Sequence, residues 1–421
     1  IDPVALEQIF TFWTTLPGRT AFEEIKELPP GHYMKVSRGN LTVKRYWNIP
    51  LYSPDECVDR PPEEIAENIQ QLLLDAIRIR LRADVPVGTY LSGGLDSSGI
   101  TALVVKNFDS KVSTFGIRFE EDAFDEGKHQ EDMVSFLQAD HHEIHADNQS
   151  IGAAFSDVVW HCEKPMLRTA PTPLFLLSRL VSDNNLKVVL TGEGADEVFG
   201  GYNIFREAKV RKFWSKEPDS KTRPELIGKL YPYIFQNPRL KRTLQAFFAK
   251  GLDQPDDPLF SHMIRWGNTS RTKMFFSKDL RERIGNYAGY DEVIRMLPES
   301  YERWDCVVKA QFLEMAVFMS NYLLSSQGDR VAMAHSLEIR LPFLDPNVME
   351  YMGHVPSKWK IFGLDEKYVL KRAFKNVLPD SIANRPKHPY RAPISESLLN
   401  QDSAACTMDM LSEKALEKSG L

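Results

Sequence analysis

Apolar residues along the chain follow two periodicities, and the order in which these alternate predicts the architecture. Ile65, Ile69, Leu72, Leu73, Ala76 and Ile77 recur at the spacing of one helix face. Residues 87–91 then read as a short strand and 95–106 as a helix. Residues 112–119, 141–145 and 187–190 are further strands, with helical stretches between them. Strand–helix–strand order of this kind predicts right-handed crossovers and an α/β fold built on a parallel, doubly wound sheet. After about residue 204 strand signals fade, and 307–324 and 367–376 read as helices.

The first 52 residues have a different texture of short helix, turn and hairpin. Leu28-Pro29-Pro30-Gly31 carries the chemistry of a type II turn, where glycine accepts the positive φ. Residues 33–36 and 41–46 read as strands around Ser37-Arg38-Gly39-Asn40. About fifty residues make a poor independent core, so this piece is expected to lean on another part. Residues 216–260, rich in Pro, Asp and Lys, read as a partly helical, mobile insertion.

Composition narrows the function. With 421 residues the chain suits two or three domains. A net charge of -6 and a pI near 6.0 argue against a polyanion-binding surface, so no nucleic-acid partner is expected. No apolar run approaches the roughly 18 residues of a membrane span, and no signal peptide is visible. Cys57, Cys162, Cys306 and Cys406 form no CxxC pair, which suits reduced thiols in the cytoplasm. The first residue is Ile1, so the natural start is expected to lie upstream.

Chemistry concentrates at two strand ends. Ser92-Gly93-Gly94-Leu95-Asp96-Ser97-Ser98 leaves a strand and opens a helix. Glycines let backbone approach a phosphate, free N–H groups at a helix start face the anion, and the three serines add hydroxyl donors. Asp96 would repel phosphate without a cation between them, which makes it a candidate Mg²⁺ ligand. A plain glycine-rich turn with a helix cap is the alternative. The Gly-Lys-Ser/Thr ending of a Walker A loop is absent, and the run resembles the pyrophosphate-binding loop of the ATP pyrophosphatases. Residues 188–190 run into Thr191-Gly192-Glu193-Gly194-Ala195-Asp196-Glu197-Val198-Phe199-Gly200-Gly201-Tyr202. Three carboxylates among glycines at a strand's carboxyl end point to ligand binding, the alternative being a solvated acidic turn.

Together with Met333-Ala334-His335-Ser336-Leu337-Glu338-Ile339-Arg340-Leu341-Pro342-Phe343-Leu344-Asp345, these runs resemble the glutamine-hydrolysing asparagine synthetase family, in order and over nearly the whole chain. The resemblance implies an adenine-nucleotide α-hydrolase sheet, with its strands in the order 3-2-1-4-5 and a mostly helical C-terminal portion. It divides the chain into 1–52, the end of a glutaminase domain, and 53–421, a synthetase domain with an α/β core at 53–203 and a helical part at 204–421. Asp96 and Asp196 match Mg²⁺ ligands bridging the ATP phosphates, with Ser92, Gly93, Gly94, Ser97 and Ser98 around them. Leu91, Ile117, Thr191 and Gly192 match adenosine contacts. Glu193 matches the acidic residue at the aminated carboxyl centre, and Lys367 the catalytic lysine. Arg168 falls where an arginine stands near the substrate, suited to a carboxylate. Lys387 matches a phosphate contact, with a surface role equally open.

The implied reaction adenylates the side-chain carboxylate of aspartate, or of a similar acid, and transfers ammonia to it. The family makes ammonia from glutamine with an N-terminal cysteine, whereas all four cysteines here are internal. Ammonia is therefore expected from a missing glutaminase domain or a partner, and a homodimer is possible. A ring-closing synthetase of the β-lactam type and a non-catalytic nucleotide-binding homologue are the rival readings. Ring-closing relatives tend to replace the glutamate at position 193, often with tyrosine.

Overall fold

The computed structural model describes residues 1–421 except 109–111, 122–123, 233–236, 386, 388–389, 400–403 and 420–421. The chain opens with helix α1 (Pro3–Phe12), capped by Asp2, whose Oδ1 accepts from the Val4 N–H at 2.8 Å. Ile9, Phe12 and Leu16 are buried, and the Phe12 ring packs edge-on against Trp266 and Tyr290. The N-terminal segment thus leans on the helical half of the chain. At the Pro-Pro-Gly sequence, the His32 N–H closes onto Pro29 O at 3.2 Å, with Gly31 at φ +70°. Strands β1 (His32–Ser37) and β2 (Asn40–Arg45) follow as an antiparallel hairpin, almost wholly exposed. Arg38 and Gly39 both have positive φ, as a two-residue turn matched to strand twist requires.

Helix α2 (Pro62–Arg80) buries Ile65, Ile69, Leu73, Ala76 and Ile77, the face its periodicity predicts. Then come β3 (Val87–Tyr90), α3 (Leu95–Asn107), β4 (Ser113–Phe119), α4 (Gly127–Leu137) and β5 (Asp140–Ala146). After α5 (Asn148–Cys162), α6 (Pro171–Asp183) and β6 (Val188–Leu190), the short α7 (Ala195–Phe199) and α8 (Asn203–Trp214) lead into the helical half. The sheet closes with β7 (Glu338–Arg340), in the order β5-β4-β3-β6-β7, every pairing parallel. Counted along the sheet's own strands, that order is 3-2-1-4-5.

Side chains alternate across the sheet. Leu91 and Leu190 enter one apolar cluster with α2 and α3, while Phe115, Ile117 and Val189 enter another with α5 and α6. Helices therefore cover both faces and leave the strand ends open. Pattern reading overlooked β7, three residues too short for any periodicity.

The helix expected over 307–324 begins at Cys306–Leu313, widens to i→i+5 turns over Glu314–Asp329 and ends at Arg330–Met333. That expected over 367–376 is shorter, Tyr368–Ala373: Lys367 takes left-handed backbone (φ 52°) at its start, and Phe374 leaves helical backbone at its end. Residues 216–260, apart from 233–236, which lie outside the described residues, are held in place. Ile227, Leu230, Phe248 and Leu252 share a buried cluster with Val210 and Trp214. Cys57, Cys162 and Cys306 are free thiols; the Cys406 side chain lies outside the described residues. Among the described residues no helix is long and apolar enough to cross a membrane.

Candidate active site

Leu91 still donates its N–H to Phe115 O (2.8 Å), so the chain leaves the sheet at Ser92. Gly93 turns with φ +72°, and a Cβ there would sit 2.6 Å from the His129 backbone carbon. No side chain fits against the start of α4, which is why the turn needs glycine. Ser97 folds back on the loop, its Oγ accepting the Ser92 N–H at 3.0 Å and lying 2.9 Å from Ser92 Oγ. The Ser98 hydroxyl is buried and, among the described residues, unpartnered. The first turn of α3 adds N–H groups with no intrahelical acceptor. The result is a stiff cradle of donors.

The loop after β6 locks onto this cradle. Gly192 packs so closely that a Cβ would lie 2.7 Å from Ser97 N. Thr191 is buried beneath it, and the Glu193 N–H reaches Thr191 Oγ1 at 3.4 Å. Ile117 sits on β4 beyond the last residue paired with β3, its carbonyl accepting from Gln130 Nε2 at 2.8 Å. Leu91, Ile117, Thr191 and Gly192 therefore all stand at the carboxyl edge of the sheet.

Asp96 and Asp196 face each other across two lysines. Lys367 Nζ lies 2.6 Å from Asp96 Oδ2 and 2.6 Å from Asp196 Oδ1. Lys387 Nζ lies 2.7 Å from Asp196 Oδ2 and 4.0 Å from Asp96 Oδ2. Burial opposes the charge on Asp196, yet the two ammonium groups hold its carboxyl down to about 2. The same attraction, outweighing burial, raises Lys387 above its ordinary value. Glu366, also buried, anchors the arrangement by accepting from Arg206 (2.7 Å) and from the Lys387 N–H (3.0 Å).

This set suits Mg²⁺. Among the described residues Asp96 Oδ1 is buried without a partner, and two ammonium groups already occupy the cationic position between the carboxylates. Among the described residues no third acidic or imidazole group converges there. Two carboxylates with remaining positions left to phosphate and water is how Mg²⁺ is usually held.

A donor cradle, a carboxylate pair and two lysines, one buried and one half-buried, on one sheet edge invite comparison with known proteins. The family model for asparagine synthase matches residues 68–421. The chain belongs to the asparagine synthase family. Over 413 residues it is 29% identical to "Amidase chyE" of Penicillium rubens, covering 90% of this chain and 60% of that protein. Over 403 residues it is 27% identical to "Asparagine synthetase [glutamine-hydrolyzing] 1" of Bacillus subtilis, covering 95% and 61%. A second Bacillus subtilis relative, "Asparagine synthetase [glutamine-hydrolyzing] 3", is 30% identical over 405 residues, covering 93% and 58%. The chain spans about three fifths of the length of these relatives.

Within this asparagine synthase-family domain, Glu193 stands apart from the lysines. Burial first, then the charges of Glu197 and Asp329, push its carboxyl up to about 8. Tyr90 and Tyr390 both feel its charge. Arg168 is not in the lysine–aspartate cluster. Its guanidinium lies 4.8 Å over the Trp13 ring, acts on Tyr322 and Tyr390, and has no ion pair among the described residues.

Sequence reading gave two groups no role of their own. Arg385 donates to Gly93 O (3.3 Å) and pairs with Glu126 (2.5 Å), pinning the cradle from outside. Buried Glu197, next to Asp196, accepts from Tyr202 Oη at 2.9 Å, while its Oε2 has no partner among the described residues. Arg385 lies only two residues before Lys387, but no local pattern marks it.

Proposed function

We propose that this chain catalyses ATP-dependent amide formation, adenylating the side-chain carboxylate of aspartate and transferring ammonia to the acyl-adenylate. The observation that carries the reading is the pair of lysines bridging Asp96 and Asp196 beside the 92–98 cradle. Leu91, Ile117, Thr191 and Gly192 would line the adenosine, and the loop donors with Ser98 Oγ would take phosphate oxygens. Mg²⁺, held by Asp96 and Asp196, would supply charge neutralisation on the phosphates.

In the first step the acceptor carboxylate attacks the α-phosphorus and pyrophosphate departs. Lys367, buried, and Lys387, half-buried, offset the negative charge that collects on the leaving group. In the second step ammonia attacks the acyl carbon and AMP leaves. Glu193, with its carboxyl near 8, can take a proton from the attacking nitrogen at working pH. Arg168 would pair with the acceptor's α-carboxylate after turning from Trp13. A relative named as an amidase makes the acceptor worth testing broadly.

The test separates the half-reactions. Wild-type protein receives ATP, Mg²⁺, ammonium and a panel of carboxylic acids, and pyrophosphate release names the acceptor. Glu193→Gln should retain most pyrophosphate release while amide formation falls by about 10²–10⁴-fold, the usual range for a general base. Equal loss of both would move Glu193 into acceptor binding. No acid-dependent pyrophosphate in wild type would overturn the reading.

A further inference from the structure

Away from the carboxyl edge, the segment after α8 encloses a cavity of about 270 Å³. Its floor is Arg211 on α8, with a relative exposure of 1%. The guanidinium donates Nε to Phe248 O (3.1 Å), Nη1 to Phe260 O (2.6 Å) and Nη2 to Lys250 O (2.7 Å). A guanidinium carries five N–H groups, so two remain after these bonds. Among the described residues no carboxylate lies within ion-pair distance of it. Glu207 acts on it from further off, with its Oε1 engaged by Arg265 and Tyr231. Burial draws the Arg211 guanidinium down to about 10, and one of its faces stacks over the Phe260 ring at 4.0 Å.

The mouth has the same sign. Lys250 and Arg271 line it, both exposed and, among the described residues, without an ion-pair partner. Among the described residues Asp257 is the one carboxylate of the lining, and its Oδ1 accepts the Leu259 N–H at 2.7 Å. Three cations against one engaged carboxylate leave the cavity electropositive. A glycine in the wall, Gly267, has open space where a Cβ would lie. At about 270 Å³ the cavity lies at the lower end of the roughly 300–1,000 Å³ of sites for drug-sized ligands, which suits a small anion.

We propose that this cavity is a binding site for a small carboxylate or phosphate anion seated on Arg211, separate from the site at the carboxyl edge. The anion accepts the two spare guanidinium N–H groups. Lys250 and Arg271 close over it from the mouth. Its setting is suggestive, because α8 also carries Arg206 and Lys209, whose bonds to Glu366, Ile361 O and Gly363 O hold the turn before Lys367.

Calorimetric titration with succinate and with inorganic phosphate tests the site, the stronger ligand naming the class. Wild type should bind one of them saturably at millimolar concentration or below. Gly267→Phe, which fills the cavity and keeps the carbonyl that accepts from Ser270 Oγ (3.0 Å), should weaken that binding at least tenfold while pyrophosphate release stays at the wild-type rate. Arg271→Gln should weaken it several-fold. Phosphate can also meet the 92–98 cradle, so only the loss caused by Gly267→Phe counts in favour. Identical titrations for wild type and Gly267→Phe, or no saturable binding of either anion, would overturn the proposal.

Discussion

At the scale of single residues the site is a set of opposed protonation preferences. Asp196 is held ionised to about 2 by lysines, so its stabilising pairing is present above the ordinary aspartate range and lost as pH falls toward 2. Glu197, one residue on, behaves oppositely. Burial, then the Asp196 charge, raises it to about 8 from the usual 4.5. The folded chain therefore binds that proton more tightly than the unfolded chain. Stability on this account is full below the ordinary glutamate range and is lost as pH rises toward 8. Glu193 adds a slope of the same sign. The thermal midpoint of the wild type should fall between pH 5.5 and 8.5, and Glu197→Gln should flatten part of that fall. A fluorimetric melt at each pH decides it; equal slopes for both proteins would mean Glu197 ionises freely.

At the scale of elements, two turns meet at the lysines. The turn after α7 places Gly201 N–H on Asp196 O at 2.8 Å, and a Cβ on Gly201 would overlap the Asp196 carboxylate and the Lys367 side chain. The turn before Tyr368–Ala373 puts Lys367 in left-handed backbone, a conformation costing a non-glycine residue about 1–2 kcal/mol. Glu366, gripped by Arg206, holds that turn in place. Gly201→Ala should thus separate Asp196 from Lys367. Pyrophosphate release is expected to drop by about 10²-fold, equivalent to about 2.7 kcal/mol of transition-state stabilisation, with helix content unchanged by circular dichroism. Near-normal release would show that the contact has slack.

At the scale of the whole molecule, the N-terminal segment is part of the helical half rather than an appendage. Thr14 Oγ1 donates to Asn321 O (3.1 Å), Asn321 Nδ2 donates to Thr15 O (2.8 Å), and Phe12 fills a pocket of Leu259, Trp266 and Leu313. Phe12→Ala should cost about 3–5 kcal/mol in urea unfolding, the usual penalty for a buried phenylalanine. A cost under about 1 kcal/mol would mean that α1 detaches without disturbing the rest.

What the sequence by itself determined is what local chemistry can encode. Period-2 and helical runs marked four of the five sheet strands, and glycine at Gly31, Gly39 and Gly93 marked turns that need positive φ. The run from Ser92 to Ser98 carried its own donors, and the carboxylates after β6 stood out by their glycine setting. Other features exist only through contact. Glu338–Arg340 becomes a strand by pairing with Val188–Leu190, some 150 positions earlier, and three residues have no periodicity of their own. Lys367 looks like a surface charge until its ammonium meets Asp96, 271 residues away in sequence. Arg385 at the cradle and Arg211 beneath its cavity give no local sign. A buried charge is defined by what surrounds it, and those neighbours come from distant segments that only tertiary folding brings together.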